Sequence, residues 1–289
     1  MRAETPAQTL VLQATRPDPP SVIRRCLDSV ESWAATQGHA YRLLEDELFR
    51  PIPAWAWEKF GDHRVVLSDL ARLLWMAELL DQGWSRVFWL DSDVFVFAPE
   101  EFALPEPESL AGGCAFGREV WVQPDGRGGL TARRNVHNAA SLFERDNAFL
   151  AFYIHACERI LARHAPERGM APQILGPKFL SAQHNIVAFD LIEAVGMASP
   201  LTLSGLAGRP AADRAAGRDA LTLLRAQLAA PMRAVNLCLS YLGRSVDGVQ
   251  VDDALFAAAM DALAENPSRL APSRSGDVAL QSTRRSLLS

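Results

Sequence analysis

The sequence predicts an α/β fold in which a mixed, mostly parallel sheet of Rossmann-like type is flanked by helices. Residues 9–14 form a short apolar run ended by a proline-rich loop, which is typical of a buried strand. Apolar residues recur every three or four positions over 22–36, which predicts a helix, and residues 41–44 again resemble a strand. A strand, a helix and a strand in this order form a βαβ unit, whose two strands pair in parallel.

The later segments continue this alternation. Residues 51–64, rich in tryptophan and proline, are expected to be a connection whose indole rings pad the core. Ser68 is expected to begin a helix that stops at Gly83. Further elements follow in order: strands over 86–90 and 94–97, strand regions over 111–122 and 136–143, and helices over 146–164 and 252–266.

The length of 289 residues is enough for one large α/β core, and we predict a single domain over residues 1–268. Residues 199–232 are rich in alanine, glycine, arginine and proline, and are expected to form an irregular insertion or peripheral layer. Residues 269–289, rich in serine and arginine, are expected to be a flexible C-terminal tail.

Composition excludes several classes of protein. A formal charge of -5 gives no basic surface for a nucleic acid, so no nucleic-acid partner is expected. The four cysteines are widely spaced, without the C-x-x-C pairs of zinc or redox sites. The sequence shows neither a signal-peptide pattern nor an apolar run of about 18 residues, so no transmembrane segment is predicted. We therefore expect a cytoplasmic protein, and peripheral contact with a membrane stays open.

Asp91 and Asp93 stand between two apolar runs, residues 87–90 and 94–97. Burying charge in such a run is costly unless a cation or another partner offsets it. Magnesium and manganese ions take hard oxygen ligands and also bind diphosphates. The pair therefore predicts a divalent metal site. The alternative is a β-turn with two solvated aspartates.

Asp69 and Arg72 lie one turn apart on the predicted helix that leads into this strand. They could be an acidic residue that favours the helix dipole and a local ion pair. However, ligands of parallel sheets bind at the carboxyl ends of the strands, and this helix leads directly into the strand that delivers Asp91 and Asp93 to that edge. We therefore predict that Asp69 and Arg72 belong to the same site as the aspartate pair.

These residues resemble a known family. Ser68-Asp69-x-x-Arg72, followed by Arg86-Val87-Phe88-Trp89-Leu90-Asp91-Ser92-Asp93, is similar to the donor-binding core of retaining glycosyltransferases with the GT-A fold, in particular families 8 and 32 and the glucosylating clostridial toxins. His137-Asn138-Ala139-Ala140 resembles a family 8 segment that lines the sugar site, and Leu175-Gly176-Pro177-Lys178 resembles the Gly-Pro element of family 32. The resemblance spans residues 9–190.

The resemblance implies transfer of a hexosyl group, with retention of configuration, from a nucleotide sugar to a hydroxyl of a glycan, a lipid-linked acceptor or a protein. The expected donor is a UDP-sugar and the expected cofactor is Mn²⁺ or Mg²⁺. The implied metal ligands are Asp91, Asp93 and Asn236, the last in place of a late histidine. The implied catalytic residues are Asp91, Arg72 and Asn138. The implied donor-binding residues are Asp69, Arg72, Asp91, Gly176 and Pro177.

Two other functions stay open. Phosphohydrolases of the haloacid dehalogenase type also carry an aspartate pair after an apolar strand, with the first aspartate as nucleophile and the second as general acid. Here Asp91 and Asp93 would take those roles, and Lys178 and Asp252-Asp253 would supply the later motifs. That pattern usually follows the first strand, and it has Thr or Val where this chain has Phe95. A catalytically inactive sugar-binding subunit is the third hypothesis, since no histidine motif follows His184.

Overall fold

The computed structural model describes residues 9–165, 169–208 and 214–273. The chain divides into two compact units. Of the described residues, unit 1 contains 9–92, 103–117 and 136–192, and unit 2 contains the others. The chain passes from unit 1 to unit 2 between Ser92 and Asp93, within the aspartate motif. The expected single domain over 1–268 stays a prediction.

The helices and strands alternate through the first part of the chain. In order they are β1 (Thr9–Ala14), α1 (Ser21–Thr36), β2 (Ala40–Leu44), α2 (Ala54–Phe60), α3 (Arg64–Asp81), β3 (Arg86–Leu90), β4 (Val94–Val96), β5 (Cys114–Pro124), β6 (Leu130–Glu144), α4 (Ala148–Arg163), α5 (Pro177–Gln183), β7 (Asp190–Ile192), β8 (Val195–Met197), α6 (Pro200–Leu206), α7 (Arg214–Gln227), β9 (Ala234–Asn236), β10 (Ser245–Val246), β11 (Val249–Gln250) and α8 (Asp253–Glu265).

The main sheet has six strands in the order β2-β1-β3-β6-β5-β7. Strand β1 pairs in parallel with β2 and β3, and β5 pairs in parallel with β7, whereas β3 and β6 are antiparallel. Every residue of β1 is buried, as expected for a strand covered on both faces. The predicted mixed, mostly parallel sheet flanked by helices is confirmed.

Helix α3 supplies much of the core of unit 1, and it begins at Arg64, four residues before the predicted start. Ser68 had the residue type of an N-cap, but its hydroxyl donates to the Val65 carbonyl one turn earlier. A serine that bonds back in this way lies inside a helix. Asp69 and Arg72 are consequently in the body of α3, and both are buried.

The segment before α3 also differs from the prediction. Residues 54–60 form helix α2, and the side chains of Trp55 and Trp57 are 39% and 38% exposed. These indole rings therefore do not pad the core. Trp57 instead packs on Phe49, with the Arg64 guanidinium over its ring.

Unit 2 contains a three-stranded sheet in the order β4-β9-β8. Strand β4 is antiparallel to β9, with Val94 opposite Asn236, and β8 is parallel to β9. The apolar segments on the two sides of the aspartate motif thus belong to two different sheets. The hydropathy of the sequence does not reveal that β3 and β4 belong to different sheets, because both strands are apolar. Both are also fully buried.

The segment 199–232, which was expected to be an irregular insertion or peripheral layer, contains two regular helices. Helix α6 begins at Pro200 after Ser199, whose hydroxyl accepts a hydrogen bond from the Thr202 amide, and α7 follows at Arg214–Gln227. Nearly all side chains of α6 are buried. A helix that is buried all round has no polar face, so the periodicity used to recognise helices is absent. Residues 209–213 lie outside the described residues.

The start of the expected C-terminal tail is also ordered by packing. Leu270 is fully buried, and its carbonyl accepts a hydrogen bond from the Met232 amide. Residues 274–289 of the tail lie outside the described residues. None of the helices that the structure describes has both the length and the apolar character needed to cross a bilayer.

Asp252 gives a test of the local structure of unit 2. Its carboxylate accepts a hydrogen bond of 2.7 Å from the Leu255 amide and so caps the N-terminus of α8. We expect Asp252→Ala to lower the free energy of unfolding by about 1 kcal/mol, because an N-terminal amide loses its acceptor. Asp252→Asn, which keeps an acceptor oxygen, should be close to wild type in urea denaturation. Equal losses in the two variants would contradict the capping role.

Candidate functional site

Arg72 is the centre of a buried cluster in unit 1. Its Nη2 lies 2.9 Å from Asp69 Oδ1, and its Nη1 lies 2.8 Å from Asp91 Oδ1. The side chains of Asp69 and Arg72 are each 7% exposed, whereas that of Asp91 is 27% exposed. The guanidinium therefore joins a buried carboxylate on α3 to a partly exposed carboxylate at the carboxyl end of β3.

Asn138 of β6 completes this cluster. Its amide nitrogen donates to Asp69 Oδ1 at 2.8 Å, and its backbone carbonyl accepts from Arg72 Nη1 at 3.0 Å. Asn138 is 7% exposed. The structure thus brings together four of the predicted site residues from α3, β3 and β6.

The backbone of Asp91 is held from two sides. Its amide donates to the Ala139 carbonyl at 2.9 Å. Its carbonyl accepts from the Gln13 side chain at 3.1 Å, and Gln13 in turn accepts from the Tyr41 hydroxyl at 3.0 Å. Strands β1 and β2 therefore help to position Asp91, through pairs of residues that are far apart in sequence.

Trp89 also contacts the Asp91 carboxylate. Its indole nitrogen donates to Oδ1 at 2.7 Å, and the Arg72 guanidinium lies over its ring, 5.2 Å from the centroid. Both of the hydrogen bonds described for the Asp91 side chain go to Oδ1. Oδ2 therefore carries the remaining acceptor capacity of this carboxylate.

Sequence reasoning missed Gln13, Tyr41 and Trp89. Gln13 left a signal, since it is a polar residue inside an otherwise apolar strand and is fully buried. Trp89 precedes Asp91 by two positions, so it lies on the same side of the extended chain. Tyr41 left no signal beyond its place in a strand, because its partner is known only once β1 and β2 are paired.

The cluster has one cation for two carboxylates. Burial is the main reason that the pKa of Asp69 rises, from 3.8 to about 6. Arg72 and the Asn138 hydrogen bond oppose this increase, and the nearby Asp91 charge adds to it. Because Arg72 is shared with Asp91, its attraction does not outweigh the cost of desolvating the Asp69 carboxylate.

Gly176 makes room for Asn138. A Cβ atom at position 176 would lie 2.6 Å from the Asn138 amide nitrogen, which is too close for any real side chain. Gly176 is the N-cap of α5, and Pro177 is at its first position, where a proline has no amide to lose. Donor binding by Gly176 and Pro177 stays a prediction, while the contact with Asn138 accounts for the glycine.

Asp93 is fixed within unit 2 by the loop that follows β9. Its Oδ1 accepts from the Asn236 side chain at 2.6 Å, and its Oδ2 accepts from the Leu239 amide at 3.0 Å. Its backbone carbonyl accepts from the Leu237 amide at 2.9 Å. Asp93 and Asn236, which the family resemblance implies as ligands of one metal ion, are thus in direct contact.

The orientation of the Asn236 amide follows from its second contact. Its Oδ1 lies 2.8 Å from the backbone amide of Cys238, which can only donate. The atom that faces Asp93 must then be the amide nitrogen. Asn236 consequently positions Asp93 in this arrangement, and it would have to turn in order to offer its oxygen to a cation. Its role as a metal ligand stays a prediction.

The donor set restricts the kind of metal site. Among the described residues, no three histidine, cysteine, aspartate or glutamate side chains are grouped so that they could hold a metal ion. A closed protein cage is therefore not formed by these side chains. Magnesium is usually bound through one or two carboxylates together with water and substrate phosphates. The metal ligands implied by the motif stay a prediction.

No protein-family model matches the chain, and no curated protein matches it. Several solved structures are similar to it, among them three glycosyltransferases. The galactosyltransferase LgtC, in complex with donor and acceptor sugar analogues, is 12% identical with a TM-score of 0.44, over 93% of this chain and 99% of LgtC.

The second is a glycosyltransferase involved in glycosylation of the major capsid of PBCV-1. It is 15% identical with a TM-score of 0.31, over 56% of this chain and 71% of that one. The third is a mutant Drosophila beta-1,4-galactosyltransferase 7 in complex with manganese, UDP-Gal and xylobiose. It is 10% identical with a TM-score of 0.28, over 63% of this chain and 74% of that one. These similarities are weak, and the function proposed below rests on the side chains of this chain.

Gly176→Ala should disturb the cluster, because the added methyl group must displace the Asn138 amide from Asp69. We expect the free energy of unfolding to fall by about 1–3 kcal/mol, as for other overpacked sites. Pro177→Ala is the matched control and should cost less than about 1 kcal/mol, since it removes only a preset backbone angle. Thermal and urea denaturation of both variants measure the difference. An unaffected Gly176→Ala would show that Asn138 does not need this space.

The raised pKa of Asp69 predicts a dependence of stability on pH. The folded chain holds this proton more tightly than the unfolded chain, so the stabilisation is complete below pH 3.8 and is lost as the pH rises through about 6. Relative to Asp69→Asn, the wild type should lose on the order of 3 kcal/mol between pH 4 and 7. Asp81→Asn, at the exposed end of α3, is the control and should follow the wild type. Parallel pH profiles for wild type and Asp69→Asn would exclude the shift.

Proposed function

We propose that this chain is a glycosyltransferase of the GT-A type, which transfers a hexosyl group from a UDP-sugar to an acceptor hydroxyl with Mn²⁺ or Mg²⁺. The observation that carries the proposal is the buried Arg72, bonded to both Asp69 and Asp91 at the carboxyl end of a parallel strand. It fixes the first carboxylate of an Asp-Ser-Asp motif at the end of a sheet where ligands of α/β proteins bind. The similarity of this motif to families 8 and 32 supports the same function.

In the reaction, the bond between the anomeric carbon and a diphosphate oxygen breaks, and a bond from that carbon to the acceptor oxygen forms. The acceptor proton passes to the departing diphosphate. Retention of configuration, which the motif resemblance implies, is part of the proposal. A divalent cation bound by the Asp91-Ser92-Asp93 motif would offset the charge that develops on the diphosphate.

The residues of the chain then have separate roles. Asp91 keeps acceptor capacity on Oδ2 and would accept hydrogen bonds from ribose or sugar hydroxyls. Arg72 and Asn138 are buried and bonded within the cluster, which favours a positioning role over contact with the donor. Asp93 is held by Asn236 and the Leu239 amide and would be the more direct metal ligand. Catalysis would rest mainly on electrostatics and positioning.

The phosphohydrolase hypothesis is not favoured. Asp252, which would supply a later motif of that family, is the N-cap of α8. Asp91 follows the third strand of the chain, and its Oδ1 already accepts hydrogen bonds from Arg72 and Trp89. A nucleophilic carboxylate held in this way would have only Oδ2 for attack. An inactive sugar-binding subunit would bind the UDP-sugar without hydrolysis or transfer.

The test is UDP binding and turnover with a charge-neutral variant of the motif. Wild-type protein should bind UDP in the presence of Mn²⁺ and slowly hydrolyse one UDP-sugar. Asp93→Asn keeps the size of the side chain but loses its charge, so UDP affinity with Mn²⁺ should fall about tenfold or more in calorimetry. Asp81→Asn, with the same chemical change at an exposed site, should behave as wild type.

Each other outcome has a defined meaning. Metal-independent binding of UDP, or unchanged binding by Asp93→Asn, would contradict the proposed cation site. Phosphate release from phosphomonoesters, with an aspartyl-phosphate trapped at Asp91, would favour the hydrolase. Binding of UDP-sugars without hydrolysis or transfer would favour the sugar-binding subunit.

A further inference from the structure

Unit 2 carries a second group of polar and aromatic side chains, on one face of β5. Glu119 and Trp121 alternate along this strand and are partly exposed, whereas Val120 and Val122 between and beyond them are buried. The Tyr241 ring packs on Trp121, with the ring centroids 6.0 Å apart and the planes tilted by 38°. Two partly exposed aromatic rings, Trp121 from β5 and Tyr241 from the segment after β9, thus lie side by side.

The loop that places Tyr241 also fixes Asp93. The Asn236 side chain and the Leu239 amide hold Asp93, and Tyr241 follows Leu239 by two positions. The Tyr241 amide donates to the Cys238 carbonyl, which keeps this stretch in a tight turn. The aromatic pair is therefore tied, within unit 2, to the carboxylate that ends the aspartate motif.

A carboxylate lies beside the rings. Glu119 accepts a hydrogen bond of 2.6 Å from the Asn135 side chain, and burial raises the pKa of Glu119. Burial also raises the pKa of Tyr241, and the charges of Glu119 and Asp247 contribute to that increase, while Arg244 opposes it. Glu119 precedes Trp121 by two positions in β5, so the two side chains lie on the same face of the strand.

This combination indicates the chemistry of the ligand. Aromatic rings offer a flat apolar surface, and a carboxylate beside them accepts hydrogen bonds from hydroxyl groups. Two carboxylates, Glu119 and Asp247, and one cation, Arg244, act on the Tyr241 hydroxyl, which disfavours a phosphate or another anion there. A neutral ligand with one apolar face and several hydroxyl groups matches this surface, and a hexose ring has both properties.

We propose that Trp121 and Tyr241, together with Glu119, form a subsite for a sugar ring of the acceptor, so that the acceptor is a glycan. This inference rests on the proposed function, because the acceptor hydroxyl must reach the donor sugar beside the aspartate motif. The ring stacks on Trp121 and Tyr241, and Glu119 accepts hydrogen bonds from its hydroxyl groups. Asn135 orients the Glu119 carboxylate.

The test measures sugar binding without a donor. Methyl glucosides, galactosides and mannosides of both anomeric forms are the probes, and saturation-transfer NMR detects their binding to the full chain. We expect at least one glycoside to bind the wild type, with affinity reduced about tenfold in Trp121→Ala, because the stacking surface is lost. Tyr241→Phe, which keeps the ring, should bind nearly as well as wild type.

Two further variants complete the design. Trp55→Ala removes an exposed tryptophan of unit 1 and is the matched control, so its glycoside binding should equal that of wild type. Glu119→Gln keeps the size of the side chain and should weaken glycoside binding severalfold, which covers the case in which Trp121→Ala does not fold. No glycoside binding by the wild type, or equal binding by Trp121→Ala or by Glu119→Gln, overturns the proposal.

UDP binding separates this inference from the proposed function. In the presence of Mn²⁺, Trp121→Ala should bind UDP with wild-type affinity, because the subsite takes the acceptor only. If UDP does not bind to any variant while glycoside binding still depends on Trp121, the transferase proposal fails and the sugar subsite stands. If UDP binds and Trp121→Ala retains wild-type glycoside binding, the subsite fails and the transferase proposal stands.

Discussion

The shared guanidinium of Arg72 is the interaction on which the candidate site in unit 1 depends. It joins α3 to the carboxyl end of β3 through Asp69 and Asp91 and also bonds to the Asn138 carbonyl. Removing one partner of a buried charged group is strongly destabilising, because the remaining charge is left without compensation. The side chains of Asp69, Arg72 and Asp91 therefore hold one another in place.

Uncharged residues support this cluster of Asp69, Arg72 and Asp91. Gly176 leaves space for Asn138, which in turn holds Asp69, and Gln13 holds the backbone of Asp91. In unit 2, Asp93 is held in a different way, by one side-chain amide and one backbone amide. The motif thus has one carboxylate paired with a cation, Arg72, and one held by two amide donors.

Much of the fold could be predicted because its elements have ordinary periodicity. The amphipathic face of α1 and the apolar run of β1 were both evident in the sequence. Helix α6 was not, because it is buried on all sides and its sequence lacks a polar face. The start of α3 was placed too late, because a serine inside a helix has the same residue type as a serine that caps one.

The sequence by itself indicated that Asp91 and Asp93 need a compensating partner, since two aspartates inside an apolar run need one wherever the chain places them. It also determined the βαβ start of the sheet. Only the tertiary structure decided that β3 and β4 belong to different sheets, that Arg72 is buried, and that Asn236 offers Asp93 a nitrogen. These outcomes depend on pairings such as Asp93 with Asn236, across 143 positions of sequence, and local patterns carry no information on contacts of that range.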